Sequence, residues 1–162
     1  MTDRTAPGPA APGPPVVTAI AIAPASRLPM RYVTTVEAEA GKGLVGDRYH
    51  GKRHRHVTVQ SQADLDAAGR EAGAPIEPSG TRRNVTISHG EVPTTPGARV
   101  TIGDVELEVV RRMPPCRILD DTVGHDARVA LARRGGSVFR LLTGGTISVG
   151  DEVTLPDGRD DG

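Results

Sequence analysis

Residues 98–110 read Ala-Arg-Val-Thr-Ile-Gly-Asp-Val-Glu-Leu-Glu-Val-Val, and this stretch decides the fold class. Apolar and polar side chains alternate on both sides of its central Gly103-Asp104. The apolar members share one face: Val100, Ile102, Val105, Leu107 and Val109. A period of two is typical of a half-buried strand, and a Gly-Asp pair is typical of a two-residue hairpin turn. The stretch therefore predicts two antiparallel strands, at 98–102 and 105–110.

The same pattern extends along the chain. A second strand–Gly-Asp–strand unit surrounds Gly150-Asp151. Other runs rich in Val, Thr and Ile indicate further short strands, at 16–23, 31–38, 56–60, 83–87 and 137–142. About eight strands favour a closed or nearly closed barrel, because closure removes exposed strand edges.

Two helical patterns interrupt the strands. Ser61 is a suitable N-cap, and the apolar residues that follow it at helical spacing predict one helix. A second helix is predicted at 125–134, where Asp126 lies in the first turn and Gly135 follows the last residue. The predicted fold is mainly β, a barrel with two or three short helices.

Length and composition predict one domain and limit its partners. The 162 residues fit a single barrel at 16–155, between a Pro-rich disordered tail at 1–15 and a flexible acidic tail at 156–162. Lys+Arg and Asp+Glu are both 20, so neither a nucleic acid nor a membrane partner is expected. The chain has one cysteine, which favours a reducing compartment, and we expect a cytoplasmic protein.

Gly41-Lys42-Gly43-Leu44-Val45-Gly46 matches the dinucleotide-binding pattern G-x-G-x-x-G. That loop functions by opening a helix whose N-terminus holds a pyrophosphate. Residues 47–55 are instead charged and lead to another strand, so these glycines are interpreted as turn formers.

Two basic clusters are candidate binding sites. His50, His54 and His56 lie among arginines and lysines, a pattern that suits an anion better than a metal, since nearby cations repel a divalent ion. Thr81-Arg82-Arg83-Asn84 precedes a predicted strand. Paired guanidiniums suit phosphate oxygens, and an Asn amide suits a heterocycle.

Cys116 is the candidate reactive residue. It follows Pro114-Pro115, and Arg111, Arg112 and Arg117 lie within five residues of it. Neighbouring positive charge lowers a thiol pKa and favours the thiolate, which attacks electrophiles or binds soft metals. A buried structural cysteine and a Cys–His hydrolase using His89 or His125 are the alternatives at this point.

Taken together, these motifs resemble the MOSC family, named for the C-terminal domain of molybdenum cofactor sulfurases. The matching strings follow the family order: Gly43-Leu44-Val45-Gly46-Asp47-Arg48, Arg82-Arg83-Asn84-Val85, Val100-x-Ile102-Gly103-Asp104, Pro115-Cys116-Arg117, and Gly144-Gly145 followed by Val149-Gly150-Asp151-Glu152-Val153. They cover roughly residues 16–155.

The resemblance implies a β-barrel with a basic pocket for the pterin-based molybdenum cofactor (molybdopterin). Cys116 would supply the thiolate ligand to molybdenum, or carry sulfur as a persulfide. Arg48, Arg82, Arg83, Asn84 and Arg117 would hold the phosphate and pterin of the cofactor. The chain leaves no room for the pyridoxal phosphate domain of full sulfurases, so that cofactor is not expected.

Three functions remain open from the sequence. The first is a molybdenum enzyme that reduces N-hydroxylated small molecules and takes electrons from a separate redox partner. The second is a non-catalytic carrier of sulfur or cofactor on Cys116, loaded by a sulfur donor. The third is a barrel enzyme whose metal is bound by His54 and His56.

Overall fold

The fold of the chain is mainly β, as the sequence predicts. The computed structural model describes residues 13–113 and 135–156. The strands in these ranges are β1 Val17–Ile22, β2 Arg31–Val33, β3 Thr35–Glu39, β4 Gly43–Leu44, β5 Val57–Ser61, β6 Val85–Ile87, β7 Arg99–Ile102, β8 Val105–Arg112, β9 Ser137–Leu141, β10 Gly145–Ser148 and β11 Val153–Thr154. One helix, α1 Gln62–Ala72, and a 3-10 turn, Pro78–Thr81, complete the described elements.

The stretch that decided the fold class forms the predicted hairpin. In β7 and β8, Val100 pairs with Leu107 and Ile102 with Val105 across the Gly103-Asp104 turn. All five of its alternating apolar side chains are buried, because they face the same interior. The helix predicted at 125–134 lies outside the described residues.

Eight strands form one curled sheet in the order β11-β7-β8-β9-β5-β6-β1-β2. Its neighbours are antiparallel except β5 and β6, which are parallel and joined by the crossover that contains α1. A second sheet, β10-β3-β4, packs beside it. The large sheet curls into a half-barrel, and a bridge between Val16 and Glu152 joins β11 to the start of β1.

The interior of the curled sheet is aliphatic apart from Phe139. Because Val and Ile fit a pleated surface well, a core with so little aromatic content is still filled by short branched side chains. Helix α1 packs Leu65 and Ala68 inward. Within the described ranges, no helix is long and apolar enough to cross a membrane.

Gly41 and Gly46 of the G-x-G-x-x-G match lie in turns, as predicted, whereas Gly43 belongs to a strand. Gly41, Gly43 and Gly46 have φ values of 73°, 127° and 91°, conformations that favour glycine. Gly43 lies in β4, and the next described helix begins only at Gln62. This part of the chain therefore has no helix N-terminus to hold a pyrophosphate.

Candidate functional site

The loop after β4 is organised around the buried carboxylate of Asp47. Its Oδ1 accepts a hydrogen bond from the Ala23 N–H at 3.1 Å, and its Oδ2 accepts one from the Tyr49 N–H at 3.3 Å. The same Oδ1 pairs with the Arg48 guanidinium at 3.2 Å. Asp47 thus fixes the loop against the end of β1 and places one carboxylate among several cations.

Arg48 connects this loop to the Thr81-Arg82-Arg83-Asn84 turn. Its Nη2 donates to the Arg82 carbonyl at 3.3 Å, and its Nη1 contacts the Met30 sulfur at 3.3 Å. The Arg48 side chain is only 5% exposed. The structure therefore brings the Arg48 side chain to the backbone of Arg82, and it buries most of the Arg48 guanidinium in that junction.

Arg82 and Arg83 point in different directions. Arg82 follows the 3-10 turn with φ 63°, a left-handed conformation that reverses the chain. Its side chain is half-buried and Nη1 donates to the Leu28 carbonyl at 2.9 Å. Arg83 is 2% exposed, and its guanidinium donates to the carbonyls of Gly135 and Thr81, both at 3.0 Å.

Asn84 lies between two strands. Its Oδ1 accepts from the N–H and the hydroxyl of Thr58 at 3.1 and 3.2 Å, and its Nδ2 donates to the Ala21 carbonyl at 3.1 Å. These contacts join β5 to β1 through one buried amide. The contact with a heterocycle expected for Asn84 stays a prediction.

The structure adds Tyr49, Arg55 and Arg111 to the candidate site. The Cζ atoms of Arg48 and Arg55 lie 4.6 and 3.9 Å from the centre of the Tyr49 ring, within cation–π range. Burial lowers the pKa of Arg55, and the nearby guanidiniums of Arg48 and Arg111 lower it further. The Arg55 Nε–H is buried with no hydrogen-bond partner among the described residues.

In the sequence, Arg55 stands out only as a neighbour of the histidine cluster, and Arg111 only as a neighbour of Cys116. A usable signal is present, because Tyr49 is one of three aromatic residues in the chain and lies in its most basic stretch. An aromatic ring among arginines is a natural partner for guanidinium stacking.

Cys116 and Arg117 lie outside the described residues. The structure does place the residues that flank their segment. Met113 is buried, and its N–H donates to the Gly136 carbonyl at 2.9 Å. Arg111, five residues before Cys116, lies close enough to Arg55 for its charge to lower the pKa of that guanidinium.

The histidines do not form a described metal centre. His50 Nε2 contacts Glu39 Oε1 at 2.5 Å, whereas His56 is buried and its Nδ1 accepts from the Leu141 N–H at 2.9 Å. No three His, Cys, Asp or Glu side chains within 13–113 and 135–156 group closely enough to hold a metal ion. His54 and His56 therefore gain no support here as metal ligands.

His89 contacts Ser88 and Gly13 rather than other site residues. Its Nδ1 lies 2.9 Å from the Ser88 hydroxyl, and its Nε2 lies 3.0 Å from the Gly13 carbonyl. The alternative His125 lies outside the described residues. A Cys–His pair with Cys116 therefore stays untested.

A family model for the MOSC domain matches residues 46–154, about two thirds of the chain. The chain belongs to the MOSC domain family. The matched range contains Arg48, the Thr81–Asn84 turn and Cys116, so the MOSC match includes the residues singled out above. MOSC domains are associated with binding of the molybdenum cofactor.

Solved structures show the same fold. The YuaD protein from Bacillus subtilis superposes with a TM-score of 0.73 at 16% identity, covering 86% of this MOSC chain and 94% of its own. YiiM from Geobacillus stearothermophilus gives a TM-score of 0.69 at 17% identity, with 89% and 76% covered. YiiM from Escherichia coli gives 0.61 at 15% identity, with 88% and 70% covered. No protein of curated function matches the sequence.

Proposed function

We propose that this MOSC chain binds the pterin-based molybdenum cofactor, with Cys116 as the thiolate ligand to molybdenum, and reduces N-hydroxylated small molecules. The observation that supports it is the pair of guanidiniums, Arg48 and Arg55, against the Tyr49 ring, with the Arg111 charge acting on Arg55. It lies where the Asp47 loop meets the strand that leads to Cys116.

The charges of this group suit a phosphate. The guanidiniums of Arg48 and Arg111 both act on the charge of Arg55, and the Asp47 carboxylate offsets them in part. Partly buried like charges are unfavourable unless an anion compensates them. A phosphate monoester supplies up to two negative charges and several acceptor oxygens, and the buried Arg55 Nε–H, which has no partner among the described residues, is a donor that lacks an acceptor.

We assign the residues as follows. Arg55 and Arg111 hold the phosphate, together with the half-buried Arg82, while Arg117 and Asn84 keep their predicted places near the cofactor. Arg48 acts mainly by holding the Arg82 carbonyl, which aligns the turn with the Asp47 loop. Cys116 supplies a soft sulfur ligand of the kind that molybdenum accepts.

The reaction proposed is the reduction of an N–O bond. An N-hydroxylated substrate takes up two electrons and two protons, and yields the reduced nitrogen compound and water. When bound, the cofactor supplies the redox-active metal for this step. The electrons come from a separate redox partner, and the arginines supply binding and orientation.

The test is the cofactor content of protein purified from a host that makes the molybdenum cofactor. The wild type retains molybdenum and pterin. The C116S variant loses molybdenum, and R55Q loses both, since a charge-assisted hydrogen bond contributes about 1.5–3 kcal/mol, roughly ten- to a hundredfold in affinity. R99Q is the control, because Arg99 is exposed on β7 and pairs only weakly with Glu106 at 3.5 Å.

Three other results would count against the proposal. Protein without molybdenum or pterin, and with an unmodified Cys116, refutes cofactor binding. A mass increase of one sulfur atom on Cys116 without molybdenum identifies the carrier function instead. Cofactor bound in full by R55Q refutes the assignment of the phosphate to the Tyr49 cluster.

A further inference from the structure

We infer that Arg83 is a positioning residue that fixes the base of the segment carrying Cys116, rather than a direct contact of a bound anion. The importance of that segment rests on the function proposed above, whereas the contacts of Arg83 are independent of it. Arg83 is the largest fully buried side chain of the described chain. A buried guanidinium has to be held by acceptors, and its acceptors show what it does.

The guanidinium of Arg83 links two distant parts of the chain. Its Nε donates to the Gly135 carbonyl and its Nη1 to the Thr81 carbonyl, both at 3.0 Å. Gly135 is the first described residue after the segment 114–134, which contains Cys116. One planar side chain thus ties the C-terminal end of that segment to the turn before β6.

The two ends of the segment meet at this point. The Met113 N–H donates to the Gly136 carbonyl at 2.9 Å. Gly136 has φ 81°, and a Cβ there would collide with the Val59 carbonyl oxygen of β5. Met113 is therefore bonded to Gly136, and Gly136 lies against β5, so a bond that fixes Gly135 restrains the described residues on both sides of the segment.

The turn side of the Arg83 bridge is itself rigid. The Thr81 hydroxyl donates to the Gln60 side-chain oxygen at 2.9 Å, and the Gln60 Nε2 donates to the Thr86 hydroxyl at 3.0 Å. Gln60 and Thr81 are buried, so these bonds compete little with water. The carbonyl that Arg83 uses as its second acceptor is therefore anchored to β5 and β6.

Arg83 and Arg82 differ in how deeply their side chains are buried. Arg83 exposes 2% of its surface and directs two N–H groups to backbone carbonyls, whereas Arg82 is half-buried and lies on the side of Leu28. The left-handed backbone conformation of Arg82 turns the chain, so the side chains of Arg82 and Arg83 point in different directions. Of the pair, Arg82 is the residue placed to meet a ligand.

The test is hydrogen exchange of the full chain without cofactor. Loss of the Gly135 bond in R83Q is expected to speed exchange at Met113 and Gly135–Gly136 about tenfold, while peptides of the β7–β8 hairpin stay unchanged. R83K, which retains one charged donor, should give an intermediate effect. I102V, a core change in β7, is the matched control, because it lowers stability without touching the bridge.

Cys116 supplies a second readout. We expect the ratio of its alkylation rate in the folded chain to that in the urea-unfolded chain to move toward one in R83Q and not in I102V. Should R83Q fail to fold, R83K decides by the same two measurements.

Unchanged exchange at Met113 and Gly135–Gly136 in a folded Arg83 variant would overturn the inference. Such a variant that also lost pterin would show that Arg83 touches the cofactor directly. Hydrogen exchange and alkylation are both measured on cofactor-free protein, so they test the role of Arg83 even if the proposed function is wrong. The metal and pterin content of the purified protein tests the proposed function separately.

Discussion

At the scale of single residues, Gly136 shows how one backbone position constrains the site. Its φ of 81° disfavours a side chain, and a Cβ would collide with the Val59 carbonyl oxygen. Gly41 has a similar φ of 73°, but nothing lies within 4 Å of its Cβ position. An alanine at Gly41 therefore meets only the cost of the left-handed backbone conformation, whereas an alanine at Gly136 meets that cost and the collision as well.

We predict that G41A lowers the free energy of unfolding by about 1–2 kcal/mol, the cost of a left-handed alanine. G136A is expected to cost about 4 kcal/mol or more, because the backbone of β5 must also move. Urea denaturation of the two variants measures the difference. Equal losses would show that the chain near Gly136 relaxes freely, and would weaken the view that the base of the Cys116 segment is rigid.

Asn84 carries a second prediction at this scale. Replacing it with alanine leaves the Thr58 N–H and the Ala21 carbonyl without their partner inside the sheet. Each buried group left unsatisfied costs about 1–3 kcal/mol, so N84A should lose about 3 kcal/mol in urea denaturation. Q62A, which breaks an exposed pair with Asp66 at 2.9 Å, should lose less than about 0.5 kcal/mol. A loss below about 1 kcal/mol in N84A would contradict this structural role of Asn84.

The sequence offered candidate residues for this site but not their geometry. Only the resemblance to the MOSC family placed Arg48 and Arg82 in one site; in the structure the Arg48 guanidinium contacts the Arg82 carbonyl, and their shared role toward a cofactor stays a prediction. The inward direction of Arg83 was not predictable, because it depends on φ 63° at Arg82, a conformation that arginine rarely adopts and that leaves no mark in residue type.

At the scale of elements, His56 fastens β5 to β9. Its neutral Nδ1 accepts from the Leu141 N–H at 2.9 Å, and burial lowers its pKa below the ordinary value. A lowered pKa in the folded state means that the unfolded chain binds the proton more readily. The contribution of neutral His56 to the free energy of unfolding is therefore complete above about pH 6.5. It declines as the pH falls through the folded-state pKa of His56.

We predict that the wild type loses more stability than H56Q when the pH is lowered from 7.5 to 5.5. Glutamine has no proton to take up in this range, so its stability curve is flatter, even if it starts lower. Thermal unfolding of both proteins across the range measures the slopes. Parallel curves would contradict the assignment of the acid sensitivity to His56.

Local elements were predictable, and their long-range pairing was not. The β7–β8 hairpin follows from alternation and a Gly-Asp turn within a single stretch of sequence. In the second sheet, β3 pairs with β10, and Ala38 lies opposite Gly145, more than a hundred residues further on. Nothing in either strand alone specifies that partner, because register depends on which face each sheet buries.

At the scale of the whole molecule, closure of the curled sheet depends on the chain just before β1. The Pro15 carbonyl accepts from the Val153 N–H at 2.8 Å, and the Val16 N–H and carbonyl bond Ser88 at 3.1 and 2.8 Å. The Pro15 bond covers the edge of β11, whose one neighbour in the large sheet is β7, and the Val16 bonds hold the same segment to the residue after β6. The described contacts begin at Gly13, whose carbonyl meets His89 at 3.0 Å.

Truncation tests this closure. Deleting residues 1–16 removes the Pro15 bond, the two Val16 bonds and the exposed Gly13–His89 contact. At about 1 kcal/mol for each of the first three, the free energy of unfolding should fall by about 3 kcal/mol. Deleting residues 1–12 keeps all of them and should change it by less than about 0.5 kcal/mol, as expected for a Pro-rich tail. Urea denaturation compares both with the full chain. Similar stability of the two truncated chains would show that β11 needs no cover, and that the half-barrel is stable with its edge open.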